Sequence, residues 1–384
     1  MLAIALLGPF LVGPTPGVAV DAPNGHVDTV VPAQSEEEPG RPPDRDPRAD
    51  KDKKVKPKAQ VLADSQVIAD GETEPVGSSG DAADDMAFWP HPTDPAKSTV
   101  IGTDKEGALE VYAMDGTRLQ AIDPTTRPGN VDWRGGFTLA GQTVDVVGVV
   151  GYGMRFYVID PGTGLLTNMT AEGIKPGIPV AGNCMYRSPV SGKHYLFADT
   201  LDGRAAQYEL FDDGGKVNVK LVRGPWEIGS EAEACTFDDE NQWLYVAEEV
   251  VGIWRYGAEP DAGTDERTMV SPVGHYLAAD VEGLAVVRQP GGDGFLLASS
   301  QGDDAFVVFK RNEPWEFVKK FTVPAGTDAD RCSRTDGIDA AAGNFGPLYP
   351  MGVFSCQDHV NEAPGTKGNQ NFKLVRLEKI LDLG

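Results

Sequence analysis

Glu233-Ala-Cys-Thr-Phe237 is followed, 49 residues on, by Glu282-Gly-Leu-Ala-Val286: an acidic residue, then a short, mostly apolar run. The pattern recurs as Asp85-Met-Ala-Phe-Trp89, Asp132-Trp-Arg-Gly-Gly-Phe137, Asn183-Cys-Met-Tyr186, with an amide for the acid, and Asp336-Gly-Ile338. The six starts lie 47, 51, 50, 49 and 54 residues apart. A period of this length marks a solenoid, a propeller or an array. Most units continue with an apolar strand, a polar loop and a second alternating run with an aromatic near its end. Examples are Ser98–Thr103 with Leu109–Tyr112, Lys193–Asp199 with Ala206–Leu210, Trp243–Glu248 with Ile253–Tyr256, and Gly294–Ser300 with Phe306–Phe309. Two-residue alternation and turn pairs such as Asp115-Gly116 and Asp293-Gly294 argue for antiparallel strands joined by hairpins. No segment carries a long amphipathic helical period. One fifty-residue sheet cannot bury both of its faces alone, so six must stack around an axis. The expected fold is therefore all-β, a six-bladed β-propeller over residues 66–384. Gln66–Val76, ahead of the first repeat, is available as the outer strand of the last blade.

Upstream of the repeats the composition changes twice. Leu2 to Val20 is nearly free of polar residues and reads as the core of a signal peptide, so residues 1–24 are expected to direct export. Gly8, Pro9, Gly13, Pro14 and Pro16 argue against a membrane-spanning helix there. Residues 25–65, rich in Pro, Asp, Glu, Lys and Arg, lack the apolar content for a core and are expected to be a disordered linker. A chain with 58 acidic against 34 basic side chains, formal charge −24, is repelled by nucleic acid and anionic lipid. Any phosphorylated partner then needs cations as mediators.

Cys184, Cys235, Cys332 and Cys356 show no C-x-x-C spacing, which disfavours zinc and thioredoxin-like chemistry. In an exported chain an even count suggests disulfides, and four cysteines allow three pairings. Cys184 and Cys235 hold near-equivalent places in neighbouring inner strands, and Cys332 and Cys356 flank the first hairpin of the last unit, so those two pairings are favoured over the others and over four free thiols. His91, His194, His275 and His359 share no spacing and are expected at the surface.

The repeated acids should gather at one end of the central channel. Clustered carboxylates cannot all stay ionised without a counter-charge. Asp84, Asp85, Glu233, Glu248, Glu249, Asp280, Glu282, Asp330 and Asp336, with amides Asn130 and Gln301, offer only oxygen donors, a set that suits calcium, magnesium or manganese. Calcium fits an irregular cage best. The alternative is that these acids cap turns and accept backbone N–H groups. The chain has no G-x-S-x-G, Walker P-loop, H-E-x-x-H, Arg-His-Gly or C-x5-R motif for competing chemistries.

In this setting the chain resembles the β-propeller phytases. The resemblance rests on Asp84–Trp89 with His91-Pro92, Ile101–Lys105, Asn130–Asp132, Ser230–Glu233 with Asp238-Asp239, Leu244–Glu249 with Gly252–Trp254, Ala279–Leu284, Ala298–Gly302, Thr335–Asp339 and Asn369–Lys373, in order. It implies a secreted enzyme, expected as a monomer, that uses several calcium ions to remove phosphates from myo-inositol hexakisphosphate (phytate). Asp84, Asp85, Glu233, Glu249, Asp280, Glu282, Asp330 and Asp336 become candidate metal ligands. Glu233 is the candidate for orienting the attacking water. Lys105 is a candidate phosphate grip and catalytic group, and Asp202 and Gln301 are candidate substrate contacts, Asp202 also catalytic. The family usually carries a tyrosine where Ala181 stands, an arginine near Gly151-Tyr152 and a Lys-Glu pair where Leu201-Asp202 stand. Arg155, Arg187 and Arg204 are candidates to compensate. A calcium-binding propeller with little or no turnover, or another hydrolase on the same scaffold, are the alternatives.

Overall fold

The computed structural model describes residues 56–123, 126–362 and 368–383. The signal-like segment 1–24 and most of the linker lie outside them. Six sheets form, and among the described residues the only helices are single 3-10 turns. Blade 1 comprises Ala83–Trp89, Thr99–Asp104, Ala108–Ala113 and Arg118–Ile122; blade 2, Val131–Leu139, Gln142–Val150, Met154–Ile159 and Leu166–Asn168. Blade 3 comprises Asn183–Arg187, His194–Asp199, Arg204–Asp212 and Val217–Glu227; blade 4, Ala234–Asp238, Trp243–Glu248, Gly252–Gly257 and Arg267–Pro272. Blade 5 comprises Val281–Arg288, Gly294–Ser300, Ala305–Lys310 and Phe317–Thr322. Blade 6 takes Ile338–Ala342, Gly352–Asp358 and Asn371–Arg376, and its outer strand is the N-terminal Gly71–Glu72, paired as Gly71 with Leu374 and Glu72 with Lys373. The ring thus closes within the stretch Gln66–Val76.

The acidic start of each repeat is the start of an inner strand because the apolar run behind it has a blade to bury against on either side. Each of the six hydrophobic clusters fills one gap between neighbouring blades. Between blades 5 and 6, Phe306, Phe321 and Phe354 meet edge-on or tilted; burying each such ring is worth roughly 1.5–3 kcal/mol. Blade 1 approaches blade 6 so closely that a β-carbon on Gly102 would lie 2.5 Å from the Phe372 ring. Polar staples supplement the packing: Asp132 Oδ2 accepts from Met185 N of the next blade at 2.8 Å, and Asp339 Oδ2 from Phe88 N at 2.8 Å. The capping role allowed for these acids is therefore present at some repeats.

Both favoured disulfides form, Cys184–Cys235 between blades 3 and 4 and Cys332–Cys356 within blade 6. The first spans 51 residues of chain; closing such a loop in the unfolded state is worth about 4 kcal/mol on the chain-entropy account. Replacing both Cys184 and Cys235 by Ala should lower the unfolding free energy by about 2–5 kcal/mol, read from urea melts against the parent chain.

Two expectations need correction. His91 and His194 are buried, not superficial. The His91 ring accepts from Thr93 N and Asp94 N, and His194 lies in a strand against Gly135 O at 2.9 Å. His194 is covered by Gly135 and Phe137 of the neighbouring blade, whereas His91 is enclosed by Trp89, Thr93, Asp94 and Ser98 of its own blade. Residues 57–66, most of them assigned to the linker, run along blade 5: Pro57 O accepts from Ala279 N, Gln60 N and Val61 N donate to His275 O, and Ser65–Gln66 pairs in parallel with Phe321–Thr322. Buried Lys320 donates to Val61 O and Tyr276 O, holding this strap from beneath.

Candidate metal centre

Antiparallel pairing puts the start of each inner strand beside the end of the second strand, as in Ala83 with Asp104, Asn183 with Ala198, Ala234 with Ala247 and Val281 with Ser300. Loops that precede the inner strands and loops that follow the second strands therefore share one mouth of the channel. Backbone bonds tie these loops together there, the first within blade 4 and the other three between neighbouring blades. Glu249 N donates to Glu231 O, Val281 N to Glu249 O, Gly283 N to Asp336 O and Gly337 N to Asp84 O. The last two need glycine, since a β-carbon at Gly283 would lie 2.4 Å from Ile338 N and one at Gly337 2.5 Å from Asp84 O.

Carboxylates converge on this frame. Glu231, Glu233 and Glu249 bring one oxygen each within 4.8 Å of one another, as do Glu249, Asp280 and Glu282. Glu249 belongs to both groups and bridges blades 4 and 5. Glu249, Asp280 and Glu282 are all buried. Burial first, then the charges of Glu249, Glu233, Asp336 and Asp280, push the Glu282 carboxyl well above its ordinary range. Asp280 Oδ1 is buried and lacks a hydrogen-bond partner. An oxygen-only cage with an orphaned buried oxygen and a proton-hungry carboxyl fits a hard divalent cation, whose charge would favour the ionised form of every ligand.

The remaining candidates divide. Lys105 Nζ lies 2.8 Å from Asp84 Oδ1, 3.2 Å from Asp81 Oδ1 and 3.4 Å from Asp336 Oδ2, joining blades 1 and 6. Gln301 donates from Nε2 to Asp336 Oδ1 at 2.7 Å and from its backbone N to Asp280 O. Asp85 turns into the channel, where Val131 N donates to its Oδ2 at 3.1 Å. Asp330 instead pairs with Lys373, which also holds Glu72 at 2.6 Å and Asp358 at 3.2 Å inside blade 6. Asp202 is over half exposed and engages Arg204 at 2.7 Å and Thr200, neighbours in its own loop.

One cage member escaped selection from the sequence, and one selected acid takes a different role. Glu231 stands two residues before Glu233, so an extended backbone aims both side chains to one side; the Ser230-Glu-Ala-Glu233 spacing was the available signal. Glu248 is not a cage member but the brace beneath it. Its Oε1 accepts from Ser230 N at 2.8 Å and Ser230 Oγ at 2.7 Å, and its Oε2 from Trp254 Nε1 at 2.7 Å, which fixes the loop carrying Glu231 and Glu233.

Beyond the mouth the channel holds a cavity of about 600 Å³, lined by Asp85, Asn130, Asp132, Arg134, Asp239 and Asp339 among others. Arg134 pairs there with Asp132 at 2.8 Å and Asp239 at 3.0 Å. Burial, partly offset by the hydrogen bond from Phe88 N, pushes the Asp339 carboxyl up to about 7. Its unfolded value lies near 3.9, so between those values the native chain holds a proton that the unfolded chain releases. Asp339 thus makes stability fall as pH rises from about 4 to about 7. Asp339→Asn should flatten that part of the profile, seen as a smaller drop in urea midpoint between pH 5 and pH 8 than in the parent chain.

A family model and a curated relative agree on one family. The Phytase family model matches residues 52–383. The 3-phytase of Bacillus subtilis (strain 168) is 37% identical over 322 residues, covering 80% of this chain and 83% of that protein. A crystal structure of a structural genomics protein of unknown function from Bacteroides thetaiotaomicron VPI-5482 is similar at 10% identity, TM-score 0.49, over 82% of this chain and 75% of that one.

Proposed function

The chain belongs to the phytase family, and from that premise we propose that it is a secreted, monomeric, calcium-dependent hydrolase releasing phosphate from phytate. The observation that carries the reading is the meeting of Glu231, Glu233, Glu249, Asp280 and Glu282 from two blades at one mouth. These residues, with Asp84 and Asp336 beside them, would hold the metal, while Asp85 and Asp330 are engaged by Val131 N and Lys373. When bound, calcium supplies Lewis-acid chemistry, making water more acidic and neutralising phosphate oxygens as charge builds.

The chain's own groups supply the rest. Glu233, on the less buried side of the cage, receives the proton of the attacking water. Lys105 gives a fixed positive charge on the blade 1 side and holds Asp84 and Asp336 apart from mutual repulsion. Gln301 keeps Asp336 oriented. With formal charge −24, the protein accepts a polyanionic ester as its calcium salt. Export agrees with two formed disulfides; no helix among the described residues is long and apolar enough to cross a membrane.

A second reading, the same metal propeller with weakened turnover, is favoured by the basic groups this chain lacks. A side chain at Gly151 would collide with Arg127 O, 1.5 Å from its β-carbon position, so no arginine fits there. Arg204 is committed to Asp202, Arg155 donates to Met154 O, and Arg187 lines the channel cavity at the far end of its strand. Each missing charge-assisted bond to phosphate is worth about 1.5–3 kcal/mol. The deciding experiment is phosphate release from phytate by chelator-stripped protein before and after calcium is restored. Calcium-restored release supports hydrolysis; none, with calcium bound, selects the second reading.

A further inference from the structure

Lys56, outside every site discussed so far, reaches the acidic mouth from 224 residues away in sequence. Its Nζ lies 2.7 Å from Asp280 Oδ2, with the Lys56 side chain 32% and the Asp280 side chain 5% exposed. The contact is built, not incidental. Pro57 follows directly and confines the Lys56 backbone to extended conformations. Pro57 O is fixed by Ala279 N at 3.0 Å, one residue before Asp280, and Gln60 N and Val61 N are fixed to His275 O at 2.8 and 2.9 Å. Lys320, which is buried, clamps Val61 O at 3.2 Å and is itself held by Asp303 at 2.5 Å. The strap thus delivers one ammonium to one oxygen of a buried carboxylate whose other oxygen has no hydrogen-bond partner.

We propose that Lys56 is a tethered counter-cation of the cage, competing with the divalent ion for Asp280 and so setting the ion's affinity. The inference rests on the divalent-cation reading of the mouth but not on the identity of the substrate. An ammonium neutralises Asp280 while no metal is bound and must be displaced, or tolerated as a like charge, when one binds. Removing a unit charge from about 5 Å of a dication through a water-like dielectric changes affinity by about tenfold.

The test is calcium titration calorimetry on chelator-stripped full-length chain. Lys56→Met should bind calcium about tenfold more tightly than the parent, and Lys56→Glu more tightly still. Lys56→Arg, which keeps the charge, should retain the parent affinity. Lys58→Met, losing the same charge from an exposed position two residues on, should stay within about twofold because solvent screens it. Unchanged affinity in Lys56→Met, or an equal gain in Lys58→Met, overturns the proposal. The two readings fail separately: an affinity shift without phosphate release removes the proposed hydrolysis alone, and calcium-dependent release without a shift removes the tethered cation alone.

Discussion

Glu233→Gln should lower kcat for phosphate release from phytate by about 10²–10⁴-fold, the usual contribution of a positioned general base. The substitution keeps the shape and one oxygen ligand but removes the lone pair that takes the water's proton. Glu233 is also a cage member, grouped with Glu231 and Glu249, so weaker metal binding must be separated from lost proton transfer. Measuring at saturating calcium does this: a kcat loss that persists there belongs to the base, and one that calcium rescues belongs to the ligand. Glu248→Gln offers a contrast. It touches no reacting group, yet Ser230 N, Ser230 Oγ and Trp254 Nε1 all converge on this carboxylate. Full activity of Glu233→Gln at saturating calcium would pass the proton-accepting role to another member of the group.

Excess chelator should abolish phosphate release and also lower the thermal midpoint. Without a cation, Lys56 offsets the charge of Asp280 alone, and Glu249 and Glu282 stay a few ångströms apart in a buried setting that favours the protonated form of Glu282. A ligand that binds the native state alone stabilises it by about 2.7 kcal/mol at a hundredfold excess over its Kd, for each independent site. The measurement is a pair of melts at neutral pH, calcium against chelator, with magnesium as a control for ionic strength. Equal midpoints and undiminished release in chelator would remove the metal centre from the account. The chelator-induced loss should also be smaller in Lys56→Glu only if that variant fails to load calcium, so the two experiments check each other.

The blades, their number and their order were legible because each is a local event. A fifty-residue unit carries its own hairpins, and the acid that opens Glu233–Phe237 or Glu282–Val286 marks where a buried inner strand begins. The disulfides were legible for the same reason: equivalent places in neighbouring repeats become neighbours in space, as Cys184 and Cys235 do. The short N-terminal closing strand followed from the need to join the first and last blades of the ring. The burial of His194 was not legible, because it depends on Gly135 and Phe137 of a neighbouring blade and not on the residues beside it.

The roles of individual acids divide along the same line. Residue type and spacing sufficed to collect oxygen donors and to exclude thiolate or imidazole metal sites. They could not say that Glu231 would join the cage while Glu248 braces it, that Asp330 would face Lys373, or that Lys56 would cross to Asp280. Those pairings are made between segments tens to hundreds of residues apart, and their energies depend on burial and on separations of a few ångströms. Periodicity is a property of the local chain and survives in its order of residues; electrostatic partnership exists only once the ring has closed and water has been driven from between the blades.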